Sequence, residues 1–155
     1  MTTNQMTTQS IKKELLVDAS QETCFKAFTE KMDLWWPRTH HVGSCPMVES
    51  VLEPGVNGRW YSRHDDGSEV NVGYVMQWDP YAQVVLVWQI DGNFKCDPTL
   101  HTEVEVNFIP EGPTQTRVKF EHKNIERLGS GKHFANMNEG WGHILNLYKQ
   151  VTENE

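Results

Sequence analysis

The chain has 155 residues and a mass of 17.9 kDa, enough for one domain that buries roughly two-thirds of its unfolded surface and makes a core without disulfide or metal. Fourteen Lys and Arg against twenty-one Asp and Glu leave a net charge of −7 and a pI near 5.5, which excludes the basic field that holds a phosphate backbone or an anionic membrane. Six Trp, six Phe and four Tyr concentrate the apolar area in large flat rings, although only 37% of the residues are hydrophobic.

Residues 1–10 are polar, with no basic region followed by an apolar one, and read as a disordered leader without a signal peptide. Residues 11–17 form the first expected strand. Ser20 is placed to cap a helix, Glu22 sits in its first turn, and Phe25, Phe28 and Met32 follow at helical spacing. Pro37 ends that helix by Trp36, because the residue before a proline is driven out of the helical region. A loop with His40, His41 and Gly43 follows.

Beyond the loop the hydrophobic period changes to two. Strands are expected at 47–52, 58–62, 69–78, 84–90, 100–109 and 116–124, rich in β-branched and aromatic residues. Their breaks carry turn chemistry, as in Glu53-Pro54-Gly55, Asp65-Asp66-Gly67 and Asp91-Gly92-Asn93. Most breaks are short, so neighbouring strands are antiparallel hairpins. Phe134, Met137, Trp141, Ile144, Leu145 and Tyr148 then form one stripe of a helix over 133–151. The expected fold is α+β: a curved antiparallel sheet of six to seven strands wrapped around a long C-terminal helix, with a short helical segment after the first strand. Any ligand cavity lies between sheet and helix.

Several residues could carry chemistry. Trp35 and Trp36 close the first helix, either as a plug of the core or as the lid of an apolar pocket. Gly140 and Gly142 flank Trp141 inside the last helix, where each glycine costs about 1 kcal/mol relative to alanine. Close helix–sheet approach or room for a ligand would explain them. The alternation of Thr102, Val104, Val106 and Phe108 with that of Thr116, Val118, Phe120 and His122 puts His122 on the apolar face. There it is either a satisfied core histidine or a ligand donor or general base. The seven histidines include no H-E-x-x-H and no Cys/His cluster, so no metal is expected. Cys24, Cys45 and Cys96 are widely spaced without a C-x-x-C pair and read as reduced thiols of a cytoplasmic protein.

The order of elements and several local strings resemble the SRPBCC, or START-like, superfamily of helix-grip proteins. Within it they resemble bacterial homologues of the activator of the heat-shock-protein ATPase and polyketide-cyclase-like members. The matching pieces are Val17-Asp18-Ala19-Ser20 leading into Phe25 and Phe28, Leu34-Trp35-Trp36-Pro37, Pro54-Gly55-Val56-Asn57-Gly58-Arg59-Trp60, Gly73-Tyr74-Val75, Trp78-Asp79-Pro80, Leu86-Val87-Trp88, Thr102-Glu103-Val104 with Thr116-Arg117-Val118, and Gly140-Trp141 with Leu145. The resemblance implies one domain over 11–152 with a deep, mostly apolar cavity gripped between sheet and helix. It also implies a hydrophobic ligand and no cofactor, with catalysis in a minority of members. Thr39-His40-His41-Val42-Gly43-Ser44 departs from the family's strings.

The expected activity is binding or sequestration of a hydrophobic, aromatic or polycyclic small molecule. The ligand-binding candidates are Trp35, Trp36, Trp60, Tyr74, Trp78, Trp88, Phe108, Phe120, His122, Met137 and Trp141. The alternative is a cyclase- or hydrolase-like enzyme with His122 or His101 as base and Tyr74 as donor. A second alternative is a chaperone accessory that uses the sheet's outer face. The chain is expected to be a monomer or weak homodimer, with no nucleic-acid or membrane partner.

Overall fold

Alternation sets the first strand, Ser10–Val17 (β1), whose Ile11 and Val17 are buried while Lys12, Glu14 and Leu16 face out. The computed structural model describes residues 10–39, 45–91, 95–128 and 131–154, without the side chains of residues 131–135. Residues 1–9 of the expected leader, the loop histidines His40 and His41, and the side chain of Phe134 lie outside the described residues. Ser10, counted with the leader on sequence, pairs with Lys123 as the first residue of β1.

Two short helices carry the chain from β1 to the opposite edge of the sheet. In Gln21–Thr29 (α1) the Ser20 hydroxyl accepts from the Thr23 N–H at 3.2 Å, and Cys24, Phe25 and Phe28 are buried. The single helix expected up to Trp36 is broken at Glu30 and Lys31. The Thr29 hydroxyl bonds back to the Phe25 carbonyl at 2.8 Å, Lys31 leaves the helical region, and a second turn, Met32–Trp35 (α2), starts there. The Trp35 indole N–H donates to the Ala27 carbonyl at 2.8 Å and folds α2 back onto α1. Trp36 is extended, as Pro37 requires.

Six strands follow: Met47–Leu52 (β2), Arg59–His64 (β3), Glu69–Asp79 (β4), Gln83–Trp88 (β5), Thr102–Gly112 (β6) and Gln115–Lys123 (β7). With β1 they form one seven-stranded antiparallel sheet in the order β1-β7-β6-β5-β4-β3-β2, curled into a half-barrel with β1 and β2 at its edges. Register shifts in the β2–β3, β3–β4 and β4–β5 pairs add twist on the β2 side. Gly73 is decisive for the curl. A Cβ there would stand 1.7 Å from the Val87 carbonyl oxygen, so only glycine allows the strands to close up. Gly73 is also in register with Trp60 on one side and Trp88 on the other, and their rings meet across it at 5.5 Å.

A 3-10 turn, Ile125–Leu128, leads into the long helix Gly131–Glu153 (α3), which buries Trp141, Ile144, Leu145 and Tyr148. The core lies between the concave face of the sheet and the three helices. The Tyr148 hydroxyl donates to the Cys24 carbonyl at 2.7 Å and ties α3 to α1. The expected α+β architecture is thus observed, with β3 running two residues further than the pattern up to Ser62 suggested.

Candidate functional site

Five of the six tryptophans lie along one continuous aromatic wall. Trp36, Trp60, Trp88 and Trp141 close a ring of contacts, with centroid distances of 6.0 Å for Trp36 to Trp60, 5.5 Å for Trp60 to Trp88, 5.7 Å for Trp88 to Trp141 and 5.8 Å for Trp141 to Trp36. Most of these contacts are edge-to-face, the arrangement that places the positive ring edge on a neighbour's negative face. One ring comes from the end of α2, two from β3 and β5, and one from α3, so the ring joins three layers of the fold. Phe120 stacks on Trp141 at 4.6 Å. Trp35 extends the wall through Phe28 and Tyr148 at 5.2 and 5.4 Å. Trp78 is the exception: it is half-buried against Phe25 at 5.2 Å, with Phe108 behind Phe25 at 5.4 Å, and touches none of the four.

His122 is completely buried beside this ring, and its hydrogen bonds fix its state. The Trp141 indole can only donate, and it does so to Nδ1 at 3.1 Å. Nδ1 is therefore the bare nitrogen, and Nε2–H points at the Thr102 hydroxyl at 2.9 Å. That hydroxyl in turn donates to the Trp88 carbonyl at 2.9 Å. The chain Trp141 to His122 to Thr102 to Trp88 begins at a group that only donates and ends at one that only accepts. Both ring nitrogens are engaged within the protein, so this arrangement fits the core-histidine reading and gives His122 no nitrogen to offer as a base.

A second histidine chain lies on β3, at the two residues by which the strand outruns its expected end at Ser62. Trp60, Ser62 and His64 all face the concave side and are buried. The Cys45 carbonyl is 2.8 Å from His64 Nδ1, so Nδ1 carries the hydrogen. In the neutral ring Nε2 is then an acceptor and takes the Ser62 hydroxyl hydrogen at 2.8 Å. Ser50 is in register with Ser62 across the β2–β3 pair and is buried on the same face. Extending the period-two pattern Trp60, Ser62 by one step would have found His64.

The remaining candidates separate. Tyr74 is in register with Val87, and alternation puts both on the convex face, away from His122. His101 lies on that same side, with Nε2 at 2.9 Å from the Glu103 carboxylate and its side chain 40% exposed. The structure therefore does not bring His122, His101 and Tyr74 together. Met137 is half-buried on α3 and packs against the core. Among the described residues, a Cβ at Gly140 would meet no atom within 4 Å, and one at Gly142 only the tip of Lys13 at 3.7 Å. Close helix–sheet approach therefore does not explain these glycines, which leave open space along α3.

Elsewhere, a groove of about 420 Å³ is lined mainly by charged side chains of β1, β6 and β7, including Lys12, Glu14, Lys119 and Glu121, and suits no apolar ligand. Among the described residues, Cys45, Asp65 and Asp66 bring possible metal-ligating atoms within 4.8 Å of one another. Both carboxylates are exposed, and Asp66 is engaged by the Ser68 hydroxyl and N–H, which hold its carboxyl down to about 2. No helix of the described residues is long and apolar enough to cross a membrane.

A half-barrel sheet gripping a long C-terminal helix over an aromatic interior defines an α+β helix-grip domain of the SRPBCC kind. The chain belongs to the family described as Activator of Hsp90 ATPase homolog 1-like protein, whose model matches residues 18–153. In the search of curated proteins nothing matches. Among solved structures it is similar to an anthrahydroquino-gamma-pyrone synthase, Txn09, at 32% identity and TM-score 0.60, covering 92% of this chain and 86% of that one. It is also similar to CalC, a self-sacrificing resistance protein from Micromonospora echinospora, at 29% identity and TM-score 0.70, covering 94% of each chain. The Aha1 dimer from Colwellia psychrerythraea shares the fold at 18% identity and TM-score 0.64, covering 94% of this chain and 96% of that one. Membership of this family fits a ligand-binding or cyclase role.

Proposed function

We propose that the chain binds a hydrophobic, planar aromatic small molecule between the concave face of the sheet and α3. The observation that carries this reading is the ring of Trp36, Trp60, Trp88 and Trp141, drawn from three layers of the fold, beside a helix that is bare at Gly140. Rings supply large contact area at low entropic cost, and edge-to-face packing lets them re-pair with an inserted ring. A glycine inside a 23-residue helix costs about 1 kcal/mol against alanine, and among the described residues nothing packs against Gly140, which keeps room there for a ligand.

Tryptophan emission and thermal unfolding test the reading together. Titration with naphthalene and anthracene derivatives is expected to quench emission and to raise the melting temperature in step with saturation. A set of such probes that changes neither would overturn it.

A second reading, catalysis on such a ligand, is favoured by the 32% identity to a synthase. Among the described residues, the β3 arm offers its acid–base groups. His122 is committed at both nitrogens, and Tyr74 and His101 lie on the other face.

A further inference from the structure

The Ser62–His64 pair differs from every other buried polar pair described above in the direction of its hydrogen bonds. Its chain ends at the half-buried Cys45 carbonyl, which accepts from His64 Nδ1–H. Its other end is the buried Ser62 oxygen, whose hydrogen is given to His64 Nε2 at 2.8 Å. A hydroxyl oxygen that has donated still holds lone pairs and can only accept further. Among the described residues no group donates to it. A group that meets the Ser62 oxygen on the concave face must bring its own donor.

We propose that Ser62, backed by His64, forms the polar end of the ligand site and selects an aromatic ligand that carries a hydroxyl group, a phenol, over one that offers only an acceptor. This inference rests on the proposed binding of an aromatic ligand. Trp60 and Ser62 are two residues apart on one face of β3, about 7 Å along the strand. A ring lying on Trp60 therefore places its substituent over Ser62. An anionic ligand finds no counter-charge on this arm. Arg63 pairs with Glu49 and Arg59 with Glu69 on the opposite face, where Arg59 also covers the Tyr61 ring at 4.0 Å. Carboxylate and ether are thus disfavoured for different reasons, the first by charge and the second because two acceptors would face each other.

The test compares 2-naphthol, 2-methoxynaphthalene and 2-naphthoate, which share one ring system, by quenching of tryptophan emission. The wild-type chain is expected to bind 2-naphthol about 5- to 10-fold more tightly than 2-methoxynaphthalene, as one net hydrogen bond allows, and 2-naphthoate most weakly. Ser62→Ala should erase the preference, because 2-naphthol loses its acceptor and 2-methoxynaphthalene is relieved of the acceptor that faced it. His64→Leu frees the Ser62 hydrogen to point outward, so the preference should turn toward 2-methoxynaphthalene. Melting curves of both variants show that they are folded. Equal affinity of the wild type for naphthol and methoxynaphthalene, or a preference that survives in Ser62→Ala, overturns this inference while leaving aromatic binding standing. Failure of all three probes to bind overturns both.

Discussion

Two histidines lie on the concave face of the same sheet, each within 3 Å of a strand hydroxyl, and their hydrogen-bond chains run to different ends. His122 on β7 receives from the Trp141 indole and passes its own hydrogen through Thr102 to a carbonyl of β5. That chain has no open end, and it fastens α3 to three strands. His64 on β3 is anchored by a carbonyl on one side and receives from Ser62 on the other, which leaves a hydroxyl oxygen as the last member. Burial alone does not separate the two, since both imidazoles are nearly inaccessible. What separates them is which nitrogen carries the hydrogen. A core uses the first kind of chain to hold elements together, while the second kind can read a ligand.

Substitutions can break this comparison. The largest effect is expected at Trp141, whose replacement by alanine removes three aromatic neighbours and the donor to His122 together. A loss of about 3–5 kcal/mol is expected, which in a domain of this size lowers the melting temperature by roughly 6–20 °C in calorimetry. Next, His122→Ala strands the Trp141 N–H and empties a buried ring position, and should cost about 3 kcal/mol in denaturant unfolding. Ser62→Ala should cost only about 1 kcal/mol. Equal costs would mean that both chains are structural.

Gly140→Ala sharpens the same contrast from the helix side. It is expected to stabilise α3 by about 1 kcal/mol and yet weaken binding of a naphthalene probe, because the methyl group enters the open space. Stabilisation with unchanged binding would place the ligand elsewhere.

The smallest effect is in the response to alkali. Burial holds the Tyr148 hydroxyl well above the ordinary tyrosine range, with the neighbouring Cys24 thiol adding to the shift. The folded state therefore keeps a proton that the unfolded chain gives up. Stability from this group is fully present below about pH 10 and declines as the pH rises past it. Absorbance at 295 nm should show one of the four tyrosines ionising only together with unfolding.

Much of the fold is legible in the sequence because period and turn chemistry act locally. Ser20 caps α1 as its residue type implies, and the change to a period of two at Met47 marks the start of the sheet. The break between α1 and α2 was not legible, since it depends on the Trp35 indole reaching back eight residues to Ala27. The site was legible in type rather than in arrangement. Phase placed His122 on the inner face, but its role depends on a donor nineteen residues away on α3. Tyr74 is a donor candidate on sequence, whereas the pleat turns it to the convex face. Ser62 and His64 were missed because the strand was ended at Ser62, one alternation short of its partner.

The most direct test of the account is the tautomeric state of the two imidazoles, read from long-range proton–nitrogen correlations of the ring nitrogens in a nitrogen-15-labelled sample. The account predicts opposite tautomers, with His122 protonated at Nε2 and His64 at Nδ1, and a shift at His64 Nε2 on adding 2-naphthol. The same tautomer at both positions, or a response to naphthol at His122 with none at His64, would contradict it.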